Sequence, residues 1–184
     1  MRAWKPLTAA YTSFGFMYLL VLAFLVARLE DDNGWTSSRA SLAFTLVGVA
    51  MIFGGPLFIS LAGRFGVRRS LAAGFSGWIL VVLLLLPGWF VVTLGGAMVI
   101  GLIFAGIPTT ITLYVVENTT VDDYGPSFAA ATLAFGVAQM IAPQIGGLLA
   151  DLQGSFTIVF VLSAALAATG LVAALRLPGH EVSR

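Results

Sequence analysis

Long apolar runs alternate with short polar breaks along the whole chain. Six runs stand out, over residues 7–29, 40–62, 70–86, 89–116, 127–150 and 156–175. Each is close to or above the roughly 20 residues that an α-helix needs to cross a bilayer. Backbone polar groups in hydrocarbon must bond within the segment, so the pattern predicts six transmembrane helices. A β-barrel would need alternating segments, and the unbroken apolar stretch Val81–Leu86 does not alternate. The expected fold class is all-α, a polytopic membrane protein with one six-helix domain over residues 1–184.

The breaks carry turn chemistry. Glu30, Asp31, Asp32, Asn33 and Gly34 form a polar turn, expected to be solvated. Thr36, Ser37 and Ser38 offer hydroxyls to cap the second helix. Pro87 and Gly88 predict a tight hairpin. Asp122 to Pro126 predict a loop, with Pro126 at the start of the fifth helix. Gln153, Gly154 and Ser155 separate the last two spans. Trp4, Trp35 and Trp89 fall at span ends, as an interfacial aromatic belt requires.

Composition narrows the function. Of 184 residues, 59% are hydrophobic and 9% charged, against about 25% charged in ordinary soluble domains. A soluble enzyme and a nucleic-acid binder are excluded on that ground. There is no Cys, and the one His is His180, so disulfides, thiolate sites and His-based metal clusters are absent from the chemistry. No cofactor is expected. The charges set an orientation. Arg2, Lys5, Arg64, Arg68, Arg69, Arg176 and Arg184 fall on the side of both termini, whereas Arg28 and Arg39 fall on the other. Positive charge concentrates on the cytoplasmic side, so both termini are expected there, in the cell membrane.

Within the spans, Ala130, Ala134, Ala138, Ala142, Gly146 and Ala150 recur at every fourth position of the fifth helix. Such a small-residue ridge permits close backbone approach. It serves either ordinary packing inside the bundle or a surface along which two bundles rock. Pro56, Pro108 and Pro143 lie inside spans, each with glycines nearby, among them Gly146 and Gly147. Interior prolines remove a backbone bond and kink helices. Tyr11, Phe14, Gly15 and Tyr18 share one face of the first helix, which reads as core packing or as cavity lining. Thr109 in the fourth helix and Gln139 and Gln144 in the fifth are candidate solute contacts. An amide in hydrocarbon needs a partner, so Gln139 bonds either to a neighbouring helix or to substrate. No ionisable residue falls near the centre of a span. Glu117, at the end of the fourth, comes closest to a proton-coupling position.

These residues resemble half of a major facilitator superfamily transporter. Leu61 to Arg69, with Arg64, Gly66, Arg68 and Arg69, is similar to the loop signature G-x-L-a-D-r-f-G-r-r. Ile59 stands for its opening Gly, and Gly63 replaces its Asp, so the charge network which that Asp serves lacks its acid here. Ala142-Pro143-Gln144-Ile145-Gly146-Gly147 is similar to the G-P-x-x-G-G of the fifth-helix antiporter motif. The wider texture looks most like the C-terminal half of the YbfB/YjiJ-like branch. The resemblance implies a 3+3 inverted repeat, with the first and fourth helices lining a cavity and the second and fifth meeting a second half. Pro143, Gly146 and Gly147, together with Pro56, Ala138 and Ala142, are then expected in gating or helix packing.

The expected activity is alternating-access transport of a small neutral or amphipathic solute by a lipid-embedded parallel homodimer, with no nucleic-acid partner. Other readings stay open: an accessory or assembly membrane subunit, or one half of a split or truncated transporter.

Overall fold

The computed structural model describes residues 4–119 and 121–178, and these contain helices and turns with no strand. The helices are α1 (Trp4–Ala27), continuing into a π-helical turn (Arg28–Asp32), α2 (Ser37–Phe65), α3 (Val67–Leu85), α4 (Phe90–Asn118), α5 (Val121–Gln153) and α6 (Thr157–Leu175). All six are long and apolar enough to cross a membrane.

Three breaks differ from expectation. Asp122 to Pro126 belong to α5, which starts at Val121, and Pro126 is inside the helix rather than at its start. The backbone thus continues as helix through a stretch that reads as loop, with Pro126 removing one interior backbone donor. Thr36 occupies the N-cap of α2 without a side-chain bond. The entry to α2 is fixed by Trp35, whose indole N–H donates to the Gly88 carbonyl at 3.1 Å and whose ring lies 5.3 Å from that of Phe90. The acidic turn is a π-helical extension of α1, and its Asp32 is bonded to other side chains rather than left to solvent. Helices α2, α4 and α5 run unbroken through Pro56, Pro108 and Pro143.

The packing repeats itself. α1 packs on α5 as α4 packs on α2; α1 packs on α6 as α4 packs on α3; α3 and α6 join the two triples. Exchanging α1–α3 with α4–α6 leaves this pattern unchanged. Three crossings, α1 to α3, precede α4, so α1 and α4 enter from opposite faces and the repeat is inverted. Around the bundle the order is α5, α1, α6, α3, α4, α2, an arc whose two ends share no substantial contact.

The seams show the same symmetry residue by residue. A Cβ added at Gly101 of α4 would meet the carbonyl oxygen of Val47 and the Cβ of Ala50 on α2. A Cβ added at Gly15 of α1 would lie 2.9 Å from the carbonyl oxygen of Phe135 and 3.2 Å from the Cβ of Ala138 on α5. Each glycine therefore sets backbone against backbone, touching residues three apart on its partner. At the next crossing the sizes are exchanged. Gly106 of α4 receives the ring of Phe58 from α2, whereas Gly146 of α5 receives Leu20 and Phe24 from α1.

The C-terminal part of the α5 ridge thus lies in the α1–α5 seam: Ala138, Ala142, Gly146 and Ala150 are buried inside the chain. These four pack against a helix of their own bundle and do not present a surface to a second one. Beneath the seams, Trp78 of α3 donates to Ser163 Oγ of α6 at 3.0 Å, and Ser163 donates to the Met17 carbonyl of α1 at 2.6 Å. A polar indole and hydroxyl are thereby satisfied at full burial.

Candidate functional site

Tyr11 and Tyr18 are each 6% exposed and sit in an aromatic cluster spanning three helices. Phe135 of α5 stacks on Tyr11 at 4.4 Å, and Phe14 stacks on Tyr18 at 5.0 Å. Phe104 of α4 meets Tyr18 edge-on at 4.8 Å. Their spacing of three and four residues puts all three α1 rings on one face. Among the described residues neither tyrosine hydroxyl makes a hydrogen bond. The cluster joins α1, α4 and α5 through ring faces and leaves two phenolic groups available.

Thr109 donates to its own helix, to the Ala105 carbonyl at 2.7 Å, and lies beside Gly55 of α2. Thr110 and Thr112 do the same, to Gly106 at 2.8 Å and Pro108 at 2.9 Å. Hydroxyls back-bonded in this way are satisfied without help from a neighbouring helix. Gln139 is half-buried, Gln144 is exposed, and neither amide has a hydrogen-bond partner among the described residues. No hydrogen bond among those residues links Thr109, Gln139 or Gln144 to the tyrosines. Pro143 and Gly147 are half-buried and Pro56 is exposed.

The loop motif and Glu117, read separately from the sequence, come together. A crevice of about 1010 Å³ on the face where α1 starts and α6 ends is lined by Arg64, Gly66, Arg68, Arg69, Tyr114 and Glu117, among others. Gly66 joins α2 to α3 as a single residue with φ +86°, a left-handed value that suits glycine. Its N–H donates to the Ala62 carbonyl at 2.8 Å and its carbonyl accepts from Ser70 N at 3.1 Å. That bend sets Arg64 on one side and Arg68 and Arg69 on the other. Among the described residues Glu117 forms no ion pair with any of the three. Tyr114, 3% exposed, borders the crevice with its hydroxyl unpartnered.

At the opposite end lies a node that sequence reasoning missed. Arg28 is 2% exposed. Its Nη1 donates to Asp32 Oδ2 at 3.0 Å and to Thr157 Oγ1 at 2.9 Å, and its Nη2 donates to the Leu86 carbonyl at 2.7 Å. The guanidinium also lies 4.8 Å from the Phe160 ring centre. Asp32 Oδ2 accepts further bonds from Ser155 Oγ and Phe156 N, both at 2.9 Å. One ion pair thus ties together the C-terminal ends of α1 and α3 and the N-terminal end of α6. The signal available was the i,i+4 spacing of Arg28 and Asp32 at the edge of an apolar run. Arg2 and Arg184, counted toward orientation, lie outside the described residues.

Six membrane-crossing helices in an inverted repeat, with a basic loop at the α2–α3 bend, define a polytopic membrane protein with an architecture that secondary transporters use. The family model of the Major Facilitator Superfamily matches residues 7–184, and the chain belongs to that family. It is 28% identical over 150 residues to monocarboxylate transporter 6 of Mus musculus, a match covering 76% of this chain and 30% of the mouse protein. It also superposes on the crystal structure of the peptide transporter POT in complex with sulfate, with a TM-score of 0.81 and 20% identity, over 94% of this chain and 37% of that one. The chain therefore spans about a third of the length of each of these two proteins.

Proposed function

We propose that this six-helix body is one half of a transporter moving a small neutral or amphipathic solute by alternating access, and that a parallel copy of the same chain supplies the second half. The observation that carries this reading is the exposure of the outward faces of α2 and α5. Of their apolar stretches only 28% and 22% is buried, against 39% to 56% for the other helices. Two amides without partners among the described residues, Gln139 and Gln144, are on the membrane-spanning part of α5. An amide at membrane depth is costly unless it is bonded, and a second half or a water-filled cavity would supply that partner. Tyr11, Tyr18 and Thr109 contribute from α1 and α4. Pro143 and Gly147 serve the bending of α5 as the halves rock, and Glu117 is the group placed to couple a proton. The protein lies in the cell membrane with both termini cytoplasmic, on the side of the basic crevice.

The substrate class follows from where charge is missing. Among the described residues no cation or carboxylate lies at mid-span, so a carboxylate solute such as the mouse relative's name indicates would meet no counter-charge at membrane depth.

The test uses the chain's natural lack of cysteine. Single cysteines at Ile52 and Met140, which are 70% and 73% exposed on α2 and α5, should cross-link into a dimer in native membranes. A cysteine at Ala142, fully buried against α1, should not. Absence of a dimer from every exposed α2 and α5 position, in chains that remain folded, would overturn the homodimer.

A further inference from the structure

Two adjoining grooves run along the outside of the α1–α6 pair, on the face that carries both chain ends. The first, about 680 Å³, is lined by Lys5, Ala9, Ala168, Ala173 and Arg176 among others. The second, about 580 Å³, is lined by Trp4, Lys5, Ala9, Phe16 and Leu166 among others. Lys5 and Ala9 border both, so the grooves meet at one lysine.

Their walls are mostly apolar, and the polar groups in them are the hydroxyls of Thr8, Thr12, Ser13 and Thr169. Ser13 and Thr169 pair with each other at 2.9 Å, and Thr169 donates to the Leu166 carbonyl at 2.7 Å. The mouth is cationic and uncompensated: neither Lys5 nor Arg176 has a carboxylate within 4.0 Å among the described residues. Trp4, 55% exposed, stands beside Lys5 where an interfacial aromatic belongs.

We propose that these grooves seat one anionic glycerophospholipid, with an acyl chain in each and the phosphate held between Lys5 and Arg176. Two mostly apolar channels that meet at Lys5, one of them also bordered by Arg176, match the shape and charge of a diacyl lipid. A single-chain amphiphile would fill one groove only, and a zwitterionic lipid would leave one positive charge uncompensated. Basic sites between transmembrane helices recognise anionic headgroups. This site is distinct from the α2–α5 surface and does not depend on transport.

Native mass spectrometry of the full chain in mild detergent, titrated with phosphatidylglycerol or phosphatidylcholine, tests the proposal. One phosphatidylglycerol should bind per chain, with at least about tenfold preference over phosphatidylcholine. Removing both charges in Lys5→Gln/Arg176→Gln should weaken phosphatidylglycerol binding about thirtyfold, roughly fivefold for each cation near a lipid surface. Ala9→Trp, which fills both grooves from an exposed position, should abolish the adduct while thermal unfolding stays cooperative. Arg39→Gln, at the opposite end, should leave it unchanged. Equal binding of the two lipids, or an adduct that survives both groove variants, would overturn the proposal. So would a second copy of the chain, rather than lipid, being lost in Ala9→Trp.

Discussion

Removing Asp32 should cost far more stability than its place in a short polar turn suggests. Its Oδ2 accepts three bonds, from Arg28 Nη1, Ser155 Oγ and Phe156 N, at 2.9 to 3.0 Å. Its cationic partner is 2% exposed, while Asp32 itself is 13% exposed. Asp32→Ala therefore strands a buried guanidinium whose Nε already lacks a partner. Breaking a buried ion pair from one side costs about 3–5 kcal/mol, because the surviving charge is uncompensated. For a chain of this size, 1 kcal/mol shifts the midpoint by about 2–4 °C, so the drop in Tm should be roughly 6–20 °C. Asp32→Asn keeps an acceptor and should lose less. The double variant Arg28→Met/Asp32→Ala removes the stranded charge and should recover at least about 2 kcal/mol relative to Asp32→Ala, since apolar replacement of a buried pair is often neutral. Tryptophan fluorescence during thermal unfolding of the purified full chain reads all three. A double variant as unstable as Asp32→Ala, or a Tm for Asp32→Ala within about 2 °C of the parent, would refute the assignment of this node as a buried pair.

Gly101→Ala should destabilise the protein by about 1–3 kcal/mol, because its Cβ lands on the backbone carbonyl of Val47, which cannot move aside. Gly48→Ala on α2, where nothing lies within 4 Å, should instead stabilise by up to about 1 kcal/mol through helix propensity alone, so the two variants should shift Tm in opposite directions. Gln139→Ala should leave expression and Tm near the parent values, since the amide has no partner among the described residues, yet impair solute movement in proteoliposomes; full transport activity would remove Gln139 from the cavity.

The apolar periodicity made six helices legible because lipid leaves the backbone few options, and each predicted span overlaps its observed helix. The ends were less legible. Asp122 to Pro126 look like loop residues, yet α5 begins at Val121 and runs through Pro126, where a proline ordinarily argues against a helix. The α5 ridge showed that a close contact exists but not with which helix, because small residues on one face are silent about their partner. Gly15 lies in an ordinary apolar stretch of α1, and nothing local to it points to Ala138. The Arg28 node joins residues 58 and 129 positions apart, a separation that spacing rules do not reach.

The placement of charge separates the two ends of the bundle more sharply than a count of charges does. At the end that carries Arg28 both cations are engaged within the chain: Arg28 with Asp32, and Arg39 over the Phe90 ring at 5.3 Å. On the face that carries the chain ends, Lys5, Arg64, Arg68, Arg69 and Arg176 have no carboxylate within 4.0 Å among the described residues. Gly63 stands near the end of α2 where the superfamily signature has an Asp, which removes the nearest acid from Arg64, Arg68 and Arg69. Cations held by a partner stabilise packing, whereas cations left without one attract anions from outside the bundle. The Arg28 end is therefore closed by its own side chains, and the basic face is left open to anions: the lipid headgroups proposed along α1 and α6, and whatever meets the crevice around Tyr114 and Glu117.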